Sequence, residues 1–108
     1  MTTTEQMPLA PIAAPPPPDP RIGRMAQEGF KTYFTYRPYT WQQATFPVRR
    51  RWELMAERIL ERRITTAEEL WRGYTDGLYG VPAFSGVHRL RWSAVLAAMK
   101  IAATAEAA

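Results

Sequence analysis

The stretch GVHRLRWSAVLAAMKIAAT, residues 86–104, decides what kind of fold this chain adopts. At about 100° per residue, Arg89, Ser93 and Lys100 gather on one narrow stripe. Val87, Leu90, Trp92, Ala94, Val95, Leu96, Ala97, Ala98, Met99 and Ile101 occupy most of the remaining circumference. The spacing predicts a helix over 86–104, opened by Ser85 or Gly86. A helix apolar nearly all round is buried on several sides. Arg91 stands inside the apolar arc, so its guanidinium must snorkel or meet an anion.

Working back along the chain, two shorter helices are predicted. Residues 46–63 repeat Val48, Trp52, Met55, Ala56, Ile59 and Leu60 at intervals of three and four, with Thr45 as cap and Pro47 in the first turn. Arg49 and Glu53 are spaced to pair on its outer face. The stretch TTAEELWRGYTDGLYG, residues 65–80, opens with Thr66 and Glu69 in capping-box spacing and closes on Gly73, Gly77 and Gly80. Between them Arg72 follows Trp71 with no evident acid partner, which points to a partner on another chain.

The N-terminal part is different. Seven of the ten prolines fall in the first twenty residues, and APPPPDP, residues 14–20, can neither pair nor coil. Residues 1–44 are therefore expected to form an extended, Pro- and aromatic-rich arm, and 45–108 a helical domain. GFKTYFTYRPYTW, residues 29–41, is too aromatic for a solvated linker and too interrupted by Gly29 and Pro38 for a long helix. Its rings serve either an interface or the chain's own core, and their number favours the interface. The expected class is all-α, an arm followed by about three helices. With about 65 residues left to build a core, a domain of this size often leans on a partner.

The 108 residues contain no cysteine and one histidine, His88, which removes disulfides, thiolate chemistry and a self-contained His-based metal site. Glu68 and Glu69 suit a helix's first turn rather than acid–base work. Ser85, His88 and Asp76 lie close in sequence, but a triad is a matter of geometry, and spacing alone does not make one. The net charge is +4, with six arginines against three glutamates between residues 49 and 63. Those glutamates, and twelve arginines against two lysines, argue for a solvated basic face over a nucleic-acid surface. The first eighteen residues lack a basic start and an apolar block, and no run has the length of a membrane span, so a cytoplasmic protein is expected.

Residues 46–104 resemble the helical half of the β subunit in the nitrile hydratase and thiocyanate hydrolase family. FPVRRRWELMAERILERRITTAEELWR, residues 46–72, looks like that family's first helix pair, and VHRLRWSAVLAAMKIA, residues 87–102, fits a later helix. RWELMAERIL, residues 51–60, is also similar to a later helix of the thiocyanate hydrolase version, so two registers compete. The resemblance implies a non-metal-binding subunit of an enzyme that hydrates a nitrile to an amide. Cobalt or iron would sit in a cysteine cluster on an α-type partner, and a small β-barrel subunit would complete the complex. It further implies that an arginine after the acidic pair supports the partner's oxidised cysteines. That position falls on Arg72 or, one residue earlier, on Trp71; Arg91 is the second candidate. The competing expectation is a non-enzymatic helical interaction subunit of another complex.

Overall fold

Asp19 sets where the first helix begins: its carboxylate accepts from the Arg21 backbone N–H at 2.9 Å and from the Arg21 guanidinium at 2.6 Å. Those bonds hold its carboxyl down at about 2, mainly through the Arg21 side chain. The computed structural model describes residues 19–105. Within them run α1 (Pro20–Tyr33), a short 3-10 turn (Trp41–Gln43), α2 (Phe46–Leu60), α3 (Ala67–Thr75) and α4 (Gly86–Thr104). The described residues are all-α, without a strand.

The helix α1 corrects the expectation of an extended arm over residues 1–44; residues 1–18 of that arm lie outside the described residues. Gly29, read as an interruption, sits inside α1 because nothing larger fits. A Cβ there would stand 2.7 Å from Met99 Sδ, 2.8 Å from Met99 Cγ and 3.0 Å from Trp52 Cζ3. Glycine inside a helix costs about 1 kcal/mol relative to alanine. Here it admits α4 against the backbone, and α1 and α4 form the most extensive helix pair in the fold. They run antiparallel: Tyr33 at the end of α1 meets Trp92 early in α4, while Arg24 reaches the carbonyls of Ala102 and Ala105.

One core joins all four helices, so the expected division at residue 44 does not separate two bodies. Met25, Ala26 and Phe30 of α1 are fully buried with Trp52, Met55 and Ala56 of α2, Leu70 of α3, and Val95 and Met99 of α4. At its centre Trp52 and Trp92 stack at 6.0 Å and 19° between planes. Phe30, Tyr33 and Tyr74 approach Trp52 at 6.2, 5.9 and 5.3 Å. The Trp52 indole N–H is buried among these rings without a hydrogen-bond acceptor. The aromatic stretch 29–41 thus serves the chain's own core, contrary to the interface expectation. Phe30 is buried, Tyr33, Phe34, Tyr39 and Trp41 pack against the core, and of the stretch's aromatics only Tyr36 stands in solvent.

Local chemistry fixes the ends. Thr66 and Glu69 close the predicted box, with Glu69 N–H donating to Thr66 Oγ1 and Thr66 N–H to Glu69 Oε1, both at 3.1 Å. Further bonds from the Thr65 N–H and hydroxyl hold the Glu69 carboxyl below the usual range. Thr45 occupies the cap position of α2, but its hydroxyl makes no capping bond. The end of α2 comes at Leu60, three residues short of the expected 63, because Arg62 turns left-handed at φ 62°. The N–H of Arg63 then returns to the Arg58 carbonyl at 2.8 Å, and that of Arg62 to Ile59 at 3.1 Å. This is a Schellman closure built on an arginine where glycine is usual.

Several arginines close backbone ends rather than face a partner. Arg24 caps the C-terminus of α4. Arg51 of α2 donates to the carbonyls of Tyr74 and Asp76 at the end of α3, each at 2.9 Å. Arg49 donates to the Trp41 and Gln42 carbonyls of the 3-10 turn, so the expected pairing with Glu53 falls instead to Arg50, at 3.5 Å. A guanidinium at a helix C-terminus satisfies orphan carbonyls and opposes the negative end of the dipole.

Candidate functional site

Trp71 and Arg91, two of the three candidate residues, come together at one cleft. Its floor is Tyr33, Tyr74 and Trp92, and its rim is the turn from Leu78 to Pro82; its volume is about 270 Å³. The turn follows from its glycines: Gly77 at φ 82° and Gly80 at φ 69° need the left-handed region. It leaves Leu78 half-exposed and Tyr79 wholly exposed beside the opening.

The ring arrangement explains how α3 and α4 hold the site. Trp71 lies 5.2 Å from Phe84 and 6.2 Å from His88, and Phe84 and His88 stack at 23°. His88 is fixed by the start of its own helix, where its Nδ1 accepts the Ser85 N–H at 3.2 Å and lies 3.1 Å from Ser85 Oγ. The Ser85–His88 contact is therefore a helix cap. Asp76 lies beside Arg58 and Gly73 in a separate hollow, so the three residues are not assembled as a triad.

Arg91 does what its place in the apolar arc demanded. Its guanidinium lies 4.9 Å over the Tyr33 ring, a cation–π contact, and remains exposed. Among the described residues it forms no ion pair. Beside it Tyr74 contacts Tyr33 at 5.0 Å and Trp92 at 5.1 Å. Burial, with Tyr33 adjoining, pushes the Tyr74 phenol up to about 12. It stays a neutral phenol at any physiological pH.

Arg72 is placed elsewhere. Its Nη2 bonds Glu68 Oε2 at 2.7 Å, four residues back on α3, and both groups are substantially exposed. The expectation that nothing in the chain pairs with it is thereby corrected. Arg72 shares a shallow hollow with Arg58, Arg63 and Glu69, on a different side of α3 from Trp71.

Tyr33 is not among the sequence candidates, because Gly29 and Pro38 disguise its helix. Tyr74 was legible as an apolar contact three residues after Trp71, the spacing of one helix face. Among the described residues the cleft offers aromatic walls and a guanidinium without an ion-pair partner, an arrangement suited to an apolar group carrying an anion. Among the described residues no three His, Asp or Glu side chains gather as metal ligands. No helix there is long and apolar enough to cross a membrane. Comparison with known protein families, curated proteins and solved structures finds no match to this chain.

Proposed function

We propose that the chain is a helical interaction subunit whose function is completed by another polypeptide. One observation carries this reading. The helix α4 is apolar on two sides, and the described residues cover only one of them: Trp92, Val95 and Met99 are buried, while Val87, Leu90 and Ile101 are 77%, 78% and 69% exposed. Large apolar side chains in contiguous exposure mark an interaction surface. Co-expression with the polypeptides encoded beside it, followed by co-purification and sedimentation, tests the proposal. A stable complex supports it; a chain that remains a monomer beside every such neighbour overturns it.

A sharper reading is favoured by Arg91. The resemblance to the nitrile hydratase and thiocyanate hydrolase family calls for an arginine able to fork onto oxidised cysteines of an α-type subunit, and Arg91 is a guanidinium at an aromatic cleft with no ion pair among the described residues. In this reading the chain is the helical, non-metal-binding subunit of a nitrile hydratase-like lyase, with cobalt or iron on the α-type partner and a small β-barrel subunit beside it. Arg72, already paired with Glu68, is second to Arg91 for that role. Metal analysis of the co-expressed complex and a nitrile hydration assay decide it. A complex without metal or amide formation retains the interaction reading alone. Arg91→Lys in an active complex should leave assembly intact and lower turnover, since an ammonium cannot fork; unchanged turnover would remove Arg91 from the role.

A further inference from the structure

We infer that the outer face of α4 receives an amphipathic helix of another polypeptide, one carrying acidic residues on both flanks of its apolar stripe. The inference rests on the interaction reading and gives the partner its chemistry. Val87, Leu90, Ala94, Ala97 and Ile101 follow one another at steps of three, four, three and four, and all five are exposed. At about 100° per residue they fall within an arc of about 80°, the seam of a helix pair. From Val87 to Ile101 the seam runs for about 21 Å. Large side chains stand at its ends, and Ala94 and Ala97 at its middle let a second helix approach closely.

Charge selects the occupant. The positions flanking this seam include Arg91 on one side and Lys100 on the other, and α4 contains no acid. A second copy of the chain laid along the seam would bring cations against cations. A partner helix with glutamate or aspartate beside its stripe meets both, and flanking charges of this kind choose partners in helix pairs. Near Ile101 the seam opens into a groove of about 460 Å³ between α1 and α4, where Ala98, Ala102 and Ala105 continue the apolar floor. Arg24 and Glu28 edge that groove; Glu28 is taken by Lys31 at 3.2 Å, and Arg24 faces the α4 carbonyls.

The test uses the full chain and two synthetic helical peptides with identical leucine and isoleucine stripes, one flanked by glutamate and one by lysine. Fluorescence anisotropy should give about tenfold tighter binding of the glutamate peptide, a preference that weakens with salt. The double variant Arg91→Glu, Lys100→Glu should reverse the preference. Leu90→Asp should abolish binding while the circular dichroism spectrum is kept. Equal binding of both peptides, or binding of neither, overturns the inference. So does sedimentation of the chain as a dimer that Leu90→Asp dissociates, which makes a second copy the occupant. A photo-crosslinker in place of Leu90 that captures residues 1–18 of its own chain overturns it likewise. If Leu90→Asp leaves a co-expressed complex intact, the interaction reading stands and only this seam is lost.

Discussion

The two faces of α4 have nearly the same composition and opposite circumstances. The inner face lays Trp92, Val95, Met99 and Ala102 against three other helices. The outer face sets Val87, Leu90 and Ile101 in water. Hydrophobicity alone cannot distinguish them, because burial depends on what the rest of the chain can reach. An 87-residue described body, residues 19–105, supplies partners for one side of a helix that is apolar on two. The proposed interaction reading accounts for a surplus of this kind.

The contrast breaks most sharply at the Trp52–Trp92 stack. Trp92→Ala should cost about 3–5 kcal/mol, read as a lower denaturant midpoint. A cost comparable to that of an exposed substitution would mean that the inner face is not the core. Gly29→Ala should cost about 1–3 kcal/mol, since its Cβ would press on Met99 and Trp52 and the thioether must shift to admit it. A gain from alanine's helix propensity instead would show that Met99 yields freely. On the outer face, Leu90→Gln and Ile101→Gln should each change stability by no more than about 0.5 kcal/mol. A large loss there would erase the distinction between the faces.

The smallest effect concerns Tyr74 and is spectroscopic at first. Its folded value lies above that of an unfolded tyrosine, so the stability it contributes is fully present below about pH 10. That contribution is lost as pH rises through about 12. Titration followed by phenolate absorbance should find one tyrosine ionising late, and Tyr74→Phe should remove that late phase.

What could be read from the residues was local. The box of Thr66 and Glu69 and the periodicity of residues 86–104 depend on neighbours within a few positions, and both helices begin where those signals stand. Gly29 could not be read this way. Its meaning lies seventy residues on, at Met99, and without that contact a glycine among aromatics looks like a break. Without α1, Tyr33 is not legible as the ring beneath Arg91. Arg62 holds a conformation set by the Arg58 and Ile59 carbonyls behind it, and nothing in an arginine announces that. By contrast, the partner of Arg72 was in view: Glu68 lies one helical turn away, at a spacing where such pairs are ordinary. Arg91 was legible as an anomaly, a cation in an apolar arc, though not as a wall of the cleft.

The pairing of α1 with α4 bears on how the molecule comes to be made. Arg24 bonds a carbonyl eighty-one residues away, and the most extensive helix contact joins the first helix to the last. Such an arrangement raises the sequence separation of the contacts far above that of a simple helical hairpin and slows folding accordingly. During synthesis α1, α2 and α3 leave the ribosome before the helix that closes their common core exists. Until Met99 and Ala102 emerge, Phe30 and Trp52 have each other and the rings of Phe34, Tyr39, Trp41 and Tyr74 to pack against, and the side of the core that α4 covers stays open.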